Sequence, residues 1–145
     1  MDLLRRLLGG TLVLGLVGTG SELVLLGHYE DAAQYTPLIV IAVGLVVVAW
    51  LMLRPSAASI AAARIVMAAC MATGAIGIGL HYDGNEEFEL EMYPTLSGWQ
   101  LLSRTLTGAT PVLAPGAMTL IGLIGLAHVE TYPQAGRVFR RRLEE

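Results

Sequence analysis

Residues 36–53, TPLIVIAVGLVVVAWLML, contain no charged side chain over 18 positions. An α-helix rises 1.5 Å per residue, so this stretch forms a helix about 27 Å long, close to the roughly 30 Å hydrocarbon core of a bilayer. Three further apolar stretches of similar length lie at residues 7–27, 60–80 and 112–129. Backbone amides in lipid must be satisfied within their own segment, so each stretch predicts a transmembrane α-helix.

The composition of the whole chain agrees with a membrane environment. Of 145 residues 54% are apolar and 14% are charged, and the mean hydropathy is +0.63. These values indicate an all-α integral membrane protein, a single four-transmembrane-helix bundle whose first partner is the lipid bilayer. The net charge of -3 gives no reason to expect nucleic-acid binding. The single cysteine, Cys70, excludes an intramolecular disulfide and is interpreted as a small packing residue.

The basic residues predict the orientation in the membrane. All nine are arginines, and with four spans only Arg104 falls on one side while eight fall on the other, at positions 5, 6, 54, 64, 137, 140, 141 and 142. Since positive charge favours the cytoplasmic side, both termini are predicted to be cytoplasmic, including a tail at 130–145. The first helix is expected to be retained rather than cleaved as a signal peptide. A bacterial inner membrane is the default location.

The connections between the spans differ in length. The turn at residues 55–59 is short, and Ser59 or Ser56 is expected to cap the third span. Residues 28–35 form a short extracytoplasmic loop and residues 81–111 a long one, and residues 97–106 of the long loop predict a short interfacial helix with Trp99 on its apolar face. Small residues four apart in the third span, including Cys70 and Gly74, favour close helix packing. We therefore expect a homo-oligomer or a subunit of a larger membrane assembly.

Two corners of the chain have similar sequences. Gly-His-Tyr-Glu-Asp at 27–31 resembles Leu-His-Tyr-Asp-Gly at 80–84, and each is followed by Thr-Pro before the next span, at 36–37 and 110–111. The proline predicts the first turn of a helix. The pattern suggests two hairpins of the same orientation, related by an axis along the membrane normal. Such a repeat would bring both corners to the same depth on the extracytoplasmic face.

The second corner continues into a row of oxygen-bearing side chains at every other position. An extended chain would place these on one face, opposite an apolar face. Carboxylate and amide oxygens suit hard divalent cations, and nearby histidines extend the chemistry to zinc, copper, manganese or iron. The predicted metal ligands are His28, Glu30, Asp31, His81, Asp83, Asn85, Glu87, Glu89 and Glu91. The alternatives are a solvated acidic loop and histidines that bond only to their own loops.

Glu22 is the one acidic residue inside a predicted span. It lies roughly 9 Å below the level of His28 at 1.5 Å per residue, where an ionised carboxylate is costly. We therefore expect Glu22 to face the bundle, to be protonated, or to have a partner. A role in proton relay or ion coordination and a carboxyl hydrogen-bonded across a helix interface are the two interpretations.

Three functions follow from these features. The first is a non-enzymatic polytopic membrane protein whose extracytoplasmic acidic and histidine surface binds a divalent cation or a basic partner. The second is a small ion or metal transporter or channel subunit that uses Glu22. The third is a membrane enzyme acting on a lipid or quinone at the outer interface, although the sequence contains no recognisable catalytic motif.

Overall fold

The computed structural model describes residues 2–133, and this part of the chain is helical without β-strands. The all-α prediction is therefore confirmed at this level. The five helices are α1 (Asp2–Leu25), α2 (Ala32–Leu53), α3 (Ala57–Met92), α4 (Gly98–Leu106) and α5 (Gly116–Glu130). Helices α1, α2 and α3 are long and apolar enough to cross a membrane, whereas α5 has 15 residues and is shorter. The fourth crossing and the orientation stay predictions, and most of the basic tail lies outside the described residues.

Local sequence explains where α1 ends and α2 begins. Gly27 has a φ of +67°, which a residue without a Cβ adopts readily. The Gly27 and His28 amides donate back to Val24 and Leu23, at 3.1 and 2.8 Å, so a Schellman motif ends α1. Asp31 then caps α2 by accepting a hydrogen bond from the Gln34 amide at 2.9 Å.

Helix α2 begins earlier than the sequence predicts. Its cap at Asp31 places Pro37 inside the helix rather than in the first turn. The expectation that Thr-Pro opens this span is therefore wrong, because the Asp31 cap, reinforced by Gln34, starts the helix five residues sooner. Pro111 also precedes its helix by several residues, since α5 begins at Gly116. The structure does not establish the proposed internal repeat.

Helix α3 begins as predicted but ends much later. Ser56 and Ser59 form a reciprocal capping box at its start, which confirms a serine cap there. The helix then continues to Met92, so residues 81–92 are helical, and the long loop predicted from residue 81 is wrong over this part. The extended conformation predicted for residues 83–91 is wrong for the same reason. Glutamate, leucine and methionine are good helix formers, and Pro94 disfavours helix only at Tyr93.

Helices α1, α2, α3 and α5 pack as a closed ring in which α1 contacts α2 and α5, and α3 contacts α2 and α5. Each contributes small or aliphatic side chains to the interior. The central cluster consists of Leu12, Leu16, Ile41, Val48, Met67, Cys70, Met118 and Ile121, all buried. Cys70 is thus a core residue, as predicted. Below, the end of this ring that carries His28 and His81 is called the histidine end, and the end that carries Arg5 and Arg64 the arginine end.

Glycines bring α3 and α5 into backbone contact. A Cβ added at Gly122 would lie 2.5 Å from the Met67 carbonyl oxygen, and one at Gly74 would lie 2.6 Å from the Thr119 nitrogen. Larger side chains at these positions would force the helices apart. The small residues of the third span around Gly74 therefore pack against α5 of the same chain.

The outside of the ring is apolar. Leu14, Val46 and Ile65 are each at least 70% exposed and lie on α1, α2 and α3 respectively. Aliphatic side chains spread over all three long helices at such exposure are the surface expected where lipid is the solvent.

Candidate functional site at the histidine end

The extension of α3 beyond the apolar region organises the histidine end. Residues 82–92 add about 17 Å of helix after His81. His81, Asn85 and Glu89 are four residues apart and therefore share one face of the helix. All three are bonded to residues 104–111, which are called the return segment below. This polar stripe of His81, Asn85 and Glu89 therefore holds the return segment alongside α3.

Asn85 is the centre of the stripe. Its side-chain amide donates to the carbonyl oxygens of Thr105 and Thr110 at 2.9 and 2.8 Å. Its carbonyl oxygen accepts from the Thr110 amide and hydroxyl at 3.1 and 2.7 Å. Asn85 is only 3% exposed, and these four bonds use both of its N–H donors and both of its lone pairs. A Cβ at Gly108 would lie 2.8 Å from the Asn85 Cγ, so glycine is needed beside it.

Glu89 binds the beginning of the return segment. The Arg104 guanidinium of α4 lies 3.4 Å from the Glu89 carboxylate and 4.4 Å over the Tyr93 ring. Its hydrogen bonds to Tyr93 and then to Glu89 raise the pKa of Arg104 above its ordinary value. The sequence prediction of a helix here is confirmed by α4. However, α4 is braced against α3, and its predicted position in the membrane interface is not established.

The opposite face of the α3 extension is acidic. Asp83, Glu86, Glu87 and Glu91 line a shallow depression together with Leu90. They recur at three- and four-residue spacing, which aligns them along one side of a helix. Within residues 2–133 none of these four carboxylates forms an ion pair, since the described carboxylate partners of arginine are Glu89 and Glu130.

The two histidines at this end lie close together. The ring centroids of His28 and His81 are 6.4 Å apart and the rings are tilted by 59°. The convergence that the similar corners predict is therefore observed for the histidines. His81 Nδ1 lies 3.1 Å from the Pro111 carbonyl oxygen. Because a carbonyl only accepts hydrogen bonds, Nδ1 is the donor in this contact, and Nε2 is the ring nitrogen that remains for another partner.

The other predicted ligands are divided among different surfaces and tasks. Asn85 and Glu89 are engaged by the return segment, and Asp31 caps α2. Asp83, Glu87 and Glu91 belong to the acidic face, and the Glu30 side chain is exposed. Within the described residues no group of three or more histidine, cysteine or acidic side chains is arranged to hold a metal ion. The predicted ligands do not form one group because residues 83–91 are helical. A helix distributes alternate side chains around its axis, whereas an extended chain would place them in one row.

Glu22 lies on the exposed side of α1. The expectation that it faces the interior of the bundle is therefore not met within this chain. Its predicted roles in proton relay or ion coordination stay predictions.

A second polar cluster, at the arginine end, is not anticipated by the sequence analysis. His128 is 1% exposed, and its ring meets the Tyr132 ring edge to face at a centroid distance of 5.4 Å. Arg5 lies over Tyr132 at 4.6 Å and donates to the Thr131 carbonyl oxygen at 2.8 Å. Burial is the main cause that raises the pKa of Tyr132, so its hydroxyl keeps its proton. The four-residue spacing of His128 and Tyr132 is the signal that could have found this pair.

Arg64 also has a defined partner at the arginine end. Its guanidinium lies 2.6 Å from the Glu130 carboxylate, which joins α3 to the last residue of α5. This ion pair therefore contributes to the pairing of α3 and α5.

Comparisons of the chain with protein-family models, with curated proteins and with solved structures found no match.

Proposed function

We propose that this chain is a non-enzymatic, polytopic membrane protein whose extracytoplasmic acidic and histidine surface binds a basic partner or a divalent cation. The acidic face of the α3 extension carries the proposal. It projects beyond the apolar ring, it is held rigidly by the polar stripe on the other side, and its four carboxylates have no basic partner within the described chain.

The electrostatics of this face favour an external counter-charge. Asp83 and Glu87 are four residues apart, and so are Glu87 and Glu91, and each like-charge pair of this kind destabilises a helix by about 0.2–0.5 kcal/mol. Glu91 also lies next to the C-terminus of α3, where the helix dipole disfavours negative charge. A cationic ligand on this face reduces both the repulsion between the carboxylates and the unfavourable interaction of Glu91 with the helix dipole.

A basic segment of another protein is the occupant that the shape favours. The carboxylates follow the helix axis over about 12 Å from Asp83 to Glu91, so they present a row rather than a closed cage. A row matches arginine or lysine side chains spaced along a peptide better than it matches one small ion. The proposed assembly with other membrane subunits supplies the setting for such a partner.

The transporter and enzyme alternatives receive less support. Glu22 is exposed on α1 and thus outside the ring of helices. The buried histidine, His128, lies at the other end of the bundle, with its ring against Tyr132. The non-enzymatic proposal uses the surface that is both charged and accessible.

The test uses the full chain in nanodiscs of zwitterionic lipid and a fluorescent deca-arginine peptide as the probe. We expect saturable binding that weakens strongly with salt, because exposed charges are screened within about 8–10 Å at physiological ionic strength. A quadruple variant carrying D83N, E86Q, E87Q and E91Q should lose most of this binding. Glu30→Gln, which removes one exposed carboxylate elsewhere at the same end, is the matched control and should retain it. Equal binding by the quadruple variant and the wild type would contradict the proposal.

A further inference from the structure

We propose that His28 and His81 form a two-imidazole site for a borderline divalent transition-metal ion, such as Zn²⁺ or Cu²⁺. The proposal deepens the proposed function of the histidine end as a cation-binding surface and rests on it. It assigns the ion to the two imidazoles rather than to the acidic face, because the two surfaces differ in geometry and in the ions they prefer.

The position of His28 is fixed by the end of α1. Its amide is the last donor of the Schellman motif, bonded to the Leu23 carbonyl oxygen at 2.8 Å. The motif requires the positive φ of Gly27, so the chain direction at His28 is set by the backbone. The ring itself makes no hydrogen bond among the described residues, which leaves both of its nitrogens available.

The orientation of His81 is fixed by the return segment. The hydrogen bond from Nδ1 to the Pro111 carbonyl oxygen selects the tautomer whose Nε2 has a free lone pair. Metal-binding histidines are commonly oriented in this way, with one nitrogen donating to a backbone carbonyl and the other on the ion. The Asn85 bonds fix Thr110, the residue before Pro111, and so support the same arrangement.

The distance between the rings is compatible with a shared ion after a small movement. With Zn–N bonds of about 2.0–2.1 Å in tetrahedral geometry, the two ring centroids would be about 5 Å apart. The observed 6.4 Å therefore requires an approach of about 1 Å, within reach of side-chain rotation because both histidines are only half-buried.

The donor atoms determine the class of ion. Imidazole nitrogen suits zinc, copper and nickel, whereas calcium and magnesium require oxygen ligands. Two protein nitrogens leave other coordination positions to water, which predicts an exchangeable ion. Because α1 and α3 lie opposite each other in the ring of helices, the bound ion would link the two hairpins at their histidine end.

The experiment is calorimetric titration of Zn²⁺ into the metal-stripped full chain in zwitterionic nanodiscs. The wild type should bind one Zn²⁺ per chain, and Ca²⁺ should not compete. His28→Gln should weaken Zn²⁺ binding about tenfold or more, since the chelate is lost. His28→Cys, which restores a zinc-ligating donor, should recover binding, whereas Gln100→Ala, an exposed change on α4, should have no effect.

The double variant carrying H28Q and H81Q tests whether one ion is shared. Its affinity should be close to that of His28→Gln alone, because one imidazole cannot chelate. Zn²⁺ affinity that is unchanged in His28→Gln would overturn the proposal, and so would binding lost only in the quadruple acidic variant. Deca-arginine binding by the histidine variants separates the two proposals, since it depends on the acidic face and should be retained.

Discussion

Asn85→Ala tests whether the polar stripe holds the return segment against α3. The substitution removes four hydrogen bonds, each with a net value of about 1 kcal/mol. It leaves the Thr110 carbonyl and amide without partners, whereas the Thr105 carbonyl keeps the longer bond from the Gly108 amide at 3.4 Å. Thr110 is exposed, so water replaces part of the loss, whereas Thr105 is fully buried. We therefore expect the attachment of residues 105–111 to weaken by about 2–4 kcal/mol.

The assay is hydrogen exchange of the chain in nanodiscs, resolved to residues 105–115. A weakening of about 2–4 kcal/mol corresponds to about 30- to 700-fold faster exchange of the Thr110 amide, at about 1.4 kcal/mol per factor of ten. Glu87→Ala, on the opposite face of the same helix, is the matched control and should leave this amide unchanged. Asn85→Asp should be at least as disruptive as Asn85→Ala, because it places carboxylate oxygens against two carbonyl oxygens.

Wild-type exchange rates in Asn85→Ala would refute the reasoning. They would mean that the return segment is held by its apolar contacts and that the four hydrogen bonds contribute nothing net. A uniform increase in exchange throughout the chain would also count against it, because the stripe would then support the whole bundle rather than the histidine end.

Two further substitutions test backbone geometry in thermal unfolding measured in one detergent. Gly122→Ala should destabilise the chain by about 1–3 kcal/mol through overpacking against the Met67 carbonyl, and an unchanged melting temperature would show that α3 and α5 separate freely. Gly116→Ala is its control, since the added Cβ would be 3.6 Å from the nearest side chain. Gly27→Ala should lower the stability of the folded chain by about 1–2 kcal/mol, because residue 27 has a positive φ. It should also weaken Zn²⁺ binding at His28. Unaltered stability and affinity would contradict the role given to the Schellman motif.

The sequence predicts the elements that depend on local chemistry. Long apolar runs predict α1, α2 and the apolar part of α3, because hydrophobic length is a property of each segment alone. The serine cap of α3 is predicted for the same reason, since Ser56 and Ser59 act within one turn. The proximity of His28 and His81 is predicted from the similarity of the two corners, although the corners differ in local structure.

The parts that the sequence does not predict depend on contacts between distant residues. The alternating oxygen side chains from Asp83 to Glu91 suggest an extended chain, but Asn85 and Glu89 have partners 25 and 15 residues away that exist only when the chain is helical. Arg64 lacks a neighbour of opposite charge in sequence, because Glu130 is 66 residues distant. Periodicity within one segment contains no information about such partners.

The continuity of α3 gives its outer part a fixed rotational phase. Each residue turns the helix by about 100°, so Asp83 points about 180° away from Gly74, whereas His81 and Asn85 point within about 20° of it. The glycine contacts with α5 therefore determine the direction in which the acidic face points around the axis of α3. One residue inserted between Gly77 and His81 would turn that face by about 100° while leaving the composition of every surface almost unchanged.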